Sequence, residues 1–256
     1  MSPTLSSKDQ SNRESWWREW FNNLYLDVYA HRDDNGADQE VRTTCSALPL
    51  LPRHRILDLC CGNGRHCRAF RRAGFENVFG IDYSYPLLKY AVAERPRASA
   101  LRADMRLLPI RDSCCDAALS YFTSFGYFKT NVENISVLHE LSRALKPGGW
   151  FLLDYLNPPH VRETFEPEST RAHGEYVIHE RRFFSSDGER IEKEIRIENW
   201  GGKDRLYYES VRLYEYSDML EMLQSADLHV LGALGSFDGH GYGPKSPRMI
   251  LYGSRA

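Results

Sequence analysis

The sequence predicts a doubly wound α/β fold with a largely parallel sheet, and three observations predict it. Ile56-Leu57-Asp58-Leu59-Cys60-Cys61 is an apolar strand that runs without a spacer into Gly62-Asn63-Gly64 and then a helix. Strands this apolar belong to parallel sheets covered on both faces. Strand and helix patterns then alternate through about residue 155. Finally, Asp58, Asp82, Asp104 and Ser120-Tyr121 fall at or near predicted strand ends, where ligands of such sheets collect.

The elements follow in order. Residues 1–14 open with polar Ser, Lys, Asp and Gln and predict a disordered tail, without the apolar stretch of a secretion signal. Over 15–36, Trp16, Trp17, Trp20, Phe21, Leu24 and Val28 recur at helical steps. That aromatic face packs on the core. Its end, with Tyr25, Tyr29 and Arg32 ahead of an Asp33-Asp34-Asn35-Gly36 turn, suits a lid helix over a site. Residues 37–51 read as a helix stopped by Pro49 and Pro52. Strands are predicted near 55–60, 77–82, 98–103, 115–121 and 149–155, with helices near 64–73, 85–94 and 132–145. The turn Lys146-Pro147-Gly148-Gly149 closes the last of these helices.

Residues 176–184, 190–199 and 205–214 break that rhythm with strands joined at Ser186-Asp187-Gly188 and Gly201-Gly202. Ile191, Ile195 and Ile197 share one face while Glu192, Glu194, Arg196 and Glu198 share the other. The pattern is a one-sided antiparallel sheet. The chain therefore divides into a tail, the lid helix, a core of 37–160 and 217–256, and an antiparallel insertion over 161–216. The insertion packs on the core as a substrate cap or meets a second copy in a homodimer. A helix over 217–226 and strands at 230–234 and 249–252 complete the core.

A chain of 256 residues buries a full core without disulfides. The six cysteines, at 45, 60, 61, 67, 114 and 115, form no C-x-x-C, so the reading is reduced thiols, a cytoplasmic location and no metal site. A net charge of −2 with scattered Lys and Arg argues against a nucleic-acid partner. The absence of a long apolar run argues against a membrane. A small-molecule substrate is the expectation.

The glycine turn carries the chemistry. Gly62 and Gly64 let the backbone turn sharply, so the next helix presents free N–H groups to a polar ligand. Asp82 lies twenty residues beyond Gly62, at the place where such folds bind ribose hydroxyls. The dinucleotide form of the loop needs a third glycine where this chain has Cys67. A ligand with ribose but no pyrophosphate does not need it, and S-adenosylmethionine fits that description.

The segment from Asp58 to Gly64 resembles motif I of the class I S-adenosylmethionine-dependent methyltransferases. Asp58 matches the acidic position and Gly62 and Gly64 the second and third glycines; Cys60 stands at the first. The resemblance implies a Rossmann-like sheet of seven strands, the last antiparallel, and S-adenosylmethionine as cofactor. It implies that Asp82 binds the ribose and that Asp104 and Met105 frame the adenine, with Asn63, Tyr83 and Tyr121 also at the cofactor. In layout the chain is similar to sugar-amine N-methyltransferases of the small-molecule branch. They share a Tyr-x-x-Arg helix, matched by Tyr29 to Arg32, and an aromatic loop after the fourth strand, matched by Phe122 to Tyr127. By that likeness Tyr29 lies against the sulfonium and Arg32 pairs with the methionine carboxylate.

Phe125, Tyr127, Asn157 and His240 are the expected acceptor contacts, and Tyr29, His240 and Tyr242 the groups that orient it or carry a proton. Asp154 and His160 compete for that role. Asn157-Pro158-Pro159-His160 follows the fifth strand and ends in His rather than an aromatic, so it reads as a turn into a short helix. Methyl transfer needs alignment above all, and a neutral amine needs no strong base. No residue stands out as one, which favours N-methyl transfer over O- or C-methyl transfer. The rival readings are an RNA methyltransferase, a non-catalytic cofactor-binding protein and a nicotinamide oxidoreductase.

Overall fold

Strand β1 (Arg55–Leu59) pairs in parallel with β2 (Asn77–Asp82) on one side and β4 (Cys115–Ser120) on the other. In the computed structural model, which describes residues 15–30, 32–94, 99–199, 202 and 204–256, it is the middle of a seven-stranded sheet. The predicted tail of residues 1–14 lies outside the described residues, as does His31. Strands β3 (Ser99–Arg102), β5 (Leu145–Leu156), β10 (Leu228–Leu234) and β11 (Arg248–Arg255) complete the order β10-β11-β5-β4-β1-β2-β3. The last strand, β11, runs antiparallel to both neighbours.

Because side chains alternate along β1, Ile56 enters one apolar layer and Leu57 and Leu59 the other. Ile56 packs in the layer of Val41, Phe70 and Leu88, from α3 (Asp34–Ala47), α4 (Arg65–Arg72) and α5 (Tyr85–Ala93). Leu57 and Leu59 share the other with Val137, Leu138 and Leu141 of α6 (Asn131–Ala144) and with Met219 and Leu223 of α8 (Tyr216–Ser225). Both faces of the sheet are covered, which is why its strands carry so few polar residues. The order reverses at β1, with β2 and β4 on opposite sides, so the crevice at their carboxyl ends is a topological switch point.

The insertion is a four-stranded antiparallel sheet in the order β6-β7-β8-β9, with β6 (Glu168–His173), β7 (Tyr176–Phe184), β8 (Arg190–Asn199) and β9 (Arg205–Arg212). Strand β6 escaped the pattern reading, because Glu-Ser-Thr-Arg-Ala-His has no apolar alternation and is held by its pairing with β7. Ile178, Ile195 and Ile197 are buried in the same layer as Leu57 and Phe151, so the apolar face of this sheet closes on the main core.

The expected single aromatic helix is two short ones, α1 (Trp17–Trp20) and α2 (Asn23–Val28). Asn22 breaks it: its side chain accepts from the Leu24 N–H and caps α2. The expected polar turn at Asp33 is likewise a cap, since Asp33 accepts from the Gly36 N–H and α3 begins there. Asn157-Pro158-Pro159-His160 does lead into a short helix, α7 (Pro158–Glu163).

Candidate active site

The turn after β1 holds three residues at positive φ: Cys60 at 60°, Gly62 at 53° and Gly64 at 76°. A Cβ on Gly62 would meet only Leu87 Cδ1, at 3.8 Å, so it is the left-handed backbone, not space, that calls for glycine there. Cys60 takes the same conformation with a side chain attached, which costs on the order of 1 kcal/mol. Below the turn, Asp58 is buried and accepts from Cys67 Sγ, and burial pushes its carboxyl up to about 7. It braces the turn from beneath and does not line the cavity. Gly64 also stays off the cavity wall, as the N-cap of α4.

Asp82, at the tip of β2, points its carboxylate at this turn. Oδ2 accepts from the Gly62 N–H at 2.8 Å and Oδ1 from the Ser84 N–H at 2.7 Å. Burial raises its pKa against those backbone donors. Each oxygen keeps a second lone pair for a hydroxyl. Across the crevice Asp104 is held by Arg106 at 2.7 Å; burial opposes ionisation there, but the guanidinium outweighs it and lowers the carboxyl. Met105 Sδ lies 3.5 Å from Cys60 Sγ.

Above these residues the cavity is roofed by Trp17, Phe21, Tyr25, Tyr29 and Arg32, and one side is closed by Tyr121, Phe122 and Tyr127. Its empty space amounts to about 1010 Å³, open solvent included. Trp17 meets Tyr83 edge-on at 4.7 Å, and Tyr25 meets Tyr29 at 4.8 Å. Arg32 stacks on Tyr29 and Phe122, with centroid distances of 4.0 and 4.7 Å, and donates to Tyr25 Oη at 2.8 Å. Its Nε is buried and has no partner. A buried cation with an unused donor, no carboxylate of its own and a cavity in front suits a ligand carboxylate.

The acidic strand tip, the glycine turn and the guanidinium with its unused Nε donor together match the ribose and amino-acid ends of S-adenosylmethionine. Asn63, Cys60, Tyr83, Asp104, Met105, Tyr121 and Tyr127 also line this cavity. Of the expected orienting and proton-carrying groups the structure brings Tyr29 to this cavity, but not His240, Tyr242, Asp154 or His160. Asn157 is fully buried, but its amide donates to the carbonyls of Gly243, Pro244 and Ser246 and so pins the loop before β11. Tyr242 stacks on Tyr216 at 4.9 Å and donates to Asn157; His240 is exposed beside Asp238. Phe125 lies under the loop against Tyr155 and Tyr214. Asp154 accepts from Arg248 and from the Phe122 N–H, holding in place a loop where Phe122 and Thr123 both take φ of 56°. His160 lies in α7 and lines no part of the cavity.

Other residues of the site went unread in the sequence. Arg65 and His66 open α4 and line the cavity, and both pair with buried Glu40 of α3, at 3.0 and 2.6 Å. Burial raises Glu40 to about 7, although Arg65 opposes it. Burial and the nearby Arg65 and Arg68 keep His66, stacked on Tyr121 at 3.8 Å, well below the usual histidine range. Behind Tyr29 lies a second group, Lys193 of β8 and Glu209 of β9, directly opposite each other across the strands and 2.8 Å apart. Its sequence signal was present: Lys193 shares a face with Ile191, Ile195 and Ile197, and Glu209 with Tyr207 and Val211. A charge on an apolar face calls for a partner.

Comparison with known proteins agrees with this geometry. A family model described as "Methyltransferase domain" matches residues 56–149. The putative methyltransferase YqeM of Bacillus subtilis is 30% identical over 192 residues, 68% of this chain and 75% of that protein. A dTDP-3-amino-3,4,6-trideoxy-alpha-D-glucopyranose N,N-dimethyltransferase of Streptomyces venezuelae is 32% identical over 43% of this chain and 44% of its own. A malonyl-[acyl-carrier protein] O-methyltransferase of Pectobacterium atrosepticum is 34% identical over 40% of each. The chain thus spans three quarters of the first relative and less than half of the other two. Among solved structures, an S-adenosylmethionine-dependent methyltransferase of Clostridium acetobutylicum superposes with a TM-score of 0.77 at 18% identity, covering 91% of this chain and 96% of that one. CalS10, described as an amino pentose methyltransferase with S-adenosylmethionine bound, from Micromonospora echinaspora, gives 0.62 at 17% identity over 100% and 99%.

Proposed function

From the premise that this chain belongs to the class I S-adenosylmethionine-dependent methyltransferases, we propose that it methylates an amine nitrogen of a small molecule, with an amino sugar as the acceptor class. Bound S-adenosylmethionine would supply a methyl carbon open to in-line attack by the acceptor's lone pair, the new bond to carbon forming as the C–S bond breaks and its electrons stay on the leaving thioether.

The chain's own residues bind and align. Asp82 takes the ribose hydroxyls, Arg32 the carboxylate, and Asp104 with Met105 the adenine edge. The aromatic roof keeps water from the reacting atoms and offers ring faces to a cation, each worth about 0.5–2 kcal/mol. Orientation of this kind supplies on the order of 7–11 kcal/mol of the barrier.

The observation that carries the choice of nitrogen is that, among the described cavity residues, the carboxylates Asp82 and Asp104 are assigned to the cofactor and no other side chain is poised as a base. Burial raises the phenols of Tyr25, Tyr29, Tyr121 and Tyr127, leaving them protonated, and His66 is both weakened and committed to Glu40. A hydroxyl acceptor needs a base, which typically contributes about 10²–10⁴-fold; a neutral amine brings its own lone pair. The relatives described as acting on amino sugars support the same acceptor class.

The test has two stages. Calorimetric titration with S-adenosylmethionine and S-adenosylhomocysteine is expected to give saturable heat. Incubation with a set of nucleotide-linked amino sugars and their hydroxyl counterparts, followed by mass spectrometry, is then expected to add 14 mass units (about one methylene) to the amines alone. Transfer confined to the hydroxyl or carboxyl compounds would overturn the nitrogen assignment.

A further inference from the structure

We propose that Arg65 is the second guanidinium of the cofactor's anion subsite, so that Arg32 and Arg65 together hold the amino-acid carboxylate of S-adenosylmethionine. The proposal rests on the reading of function above and gives a ligand contact to a residue that the sequence pattern did not single out.

The geometry is two cations on one ring. Arg65 lies 4.3 Å from the centroid of Phe122 and Arg32 lies 4.7 Å from it, and all three residues line the cavity. Phe122 is fixed by its own backbone, since its N–H donates to buried Asp154 at 2.7 Å. Arg65 opens α4 directly after Gly64, so the glycine turn sets where its side chain starts.

Both guanidiniums keep unspent donors. Arg65 is only 7% exposed, yet among the described residues its side chain makes no hydrogen bond. Its Nη1 lies 3.0 Å from Glu40 Oε2 as an ion pair whose N–H groups point elsewhere. Nη1 is sealed from open space, whereas Nε and Nη2 stay in contact with it on the cavity wall. Arg32 gives Nη1 to Tyr25 and leaves Nε without a partner.

Nor do the charges balance without a ligand. Glu40 is the carboxylate in contact with Arg65 and also meets His66 at 2.6 Å, while Arg32 has none in ion-pair reach among the described residues. Burial pulls Arg65 below the ordinary guanidinium value; Glu40 opposes the fall and the neighbouring charge of Arg32 deepens it. Two cations with one carboxylate in contact leave a surplus positive charge in a poorly hydrated space, and a ligand carboxylate removes it. A carboxylate has two oxygens and about four lone-pair sites, enough for two guanidiniums. Held by both, the amino-acid arm is fixed at its far end, and the sulfur it carries is aimed with it.

The experiment uses the full chain with S-adenosylhomocysteine and its decarboxylated analogue, which differ in that carboxylate alone. Affinities are measured by calorimetry, with melting temperatures alongside. The unmodified chain is expected to favour the carboxylate form about 100-fold, roughly tenfold for each guanidinium. Arg65→Met keeps an unbranched stem against the ring and removes the charge. It is expected to cut the preference about tenfold, while the decarboxylated analogue binds within about threefold of before.

An unchanged preference in Arg65→Met, whether the two affinities hold or fall together, overturns the proposal. Should Arg65→Met fail to fold with Glu40 left unpaired, the double variant Glu40→Gln/Arg65→Met removes the pair together and is read the same way. A preference below about tenfold in the unmodified chain overturns the proposal without any variant. Lack of heat from both ligands with the unmodified chain overturns the functional reading itself, and this assignment with it.

Discussion

The floor of the cavity and its roof do related work with very different wiring. On the floor, Asp82 reaches the Gly62 N–H across 20 residues and the Ser84 N–H across 2, and everything involved belongs to one strand-turn-helix-strand unit. In the roof, Trp20 reaches Glu209 across 189 residues, Tyr29 meets Lys193 across 164, and Asn22 donates to Tyr207 across 185. The floor is a local backbone device that any adenosine-binding fold of this type can repeat. The roof exists only once the second sheet has docked. The ribose end of the proposed cofactor site thus rests on local contacts, whereas the roof around Arg32 and Tyr29 rests on tertiary ones.

Substitutions in each layer should have effects of different size and kind. Trp20 is fully buried between the N-terminal helices and β9, so Trp20→Ala is expected to cost about 3–5 kcal/mol in denaturant unfolding. A loss under about 1 kcal/mol would mean that the roof packs loosely and that its role in the contrast is overstated. Asp82→Ala attacks the floor. It leaves two backbone N–H groups without acceptors and removes the proposed ribose acceptor, so calorimetry should show S-adenosylhomocysteine binding weakened at least about 100-fold, or about 2.7 kcal/mol.

Arg32→Met separates the two ends of the same ligand. Binding of S-adenosylhomocysteine should weaken by about tenfold or somewhat more, the worth of a charged hydrogen bond. Methylthioadenosine, which has the ribose but no amino-acid carboxylate, should bind the Arg32→Met and unmodified proteins alike. Equal weakening of both ligands would remove Arg32 from the carboxylate and make it a packing residue of the roof.

The smallest effects test the turn itself. Cys60 occupies a left-handed conformation that glycine adopts freely, so Cys60→Gly is expected to stabilise by up to about 1 kcal/mol after the added flexibility of the unfolded chain is counted. Gly62→Ala, at φ of 53°, should cost about 1 kcal/mol despite having room for the methyl group. Opposite signs at two positions of one turn, read from melting curves, are the expectation; equal signs would deny that backbone conformation governs it.

Much of the floor was legible beforehand. The β1 strand, the glycine turn and Asp82 announce themselves through spacing, because a strand, a turn with no Cβ and a carboxylate at the next strand tip are tied together by local geometry. Asn157, His240 and Tyr242 were misplaced for the converse reason. Their residue types suit chemistry, but Asn157 and Tyr242 are occupied by groups more than eighty residues away in the chain, Tyr242 is also stacked on Tyr216, and His240 turns outward beside Asp238. Glu209 and Lys193 did leave a trace, as charges on otherwise apolar strand faces. That trace says only that a partner exists.

The α/β order, the turn and the acidic tip that faces it can be read along the chain, since each depends on residues close in sequence or on a period of two or 3.6, and the likeness of that turn to motif I supplied the cofactor class. The closing of β8 and β9 on the N-terminal helices, the hydrogen bond from Tyr29 to Glu209 and the position of the loop before β11 away from the cavity emerge only in three dimensions. Those outcomes depend on which apolar faces find each other, and a cross-strand pair has no spacing along the chain to betray it.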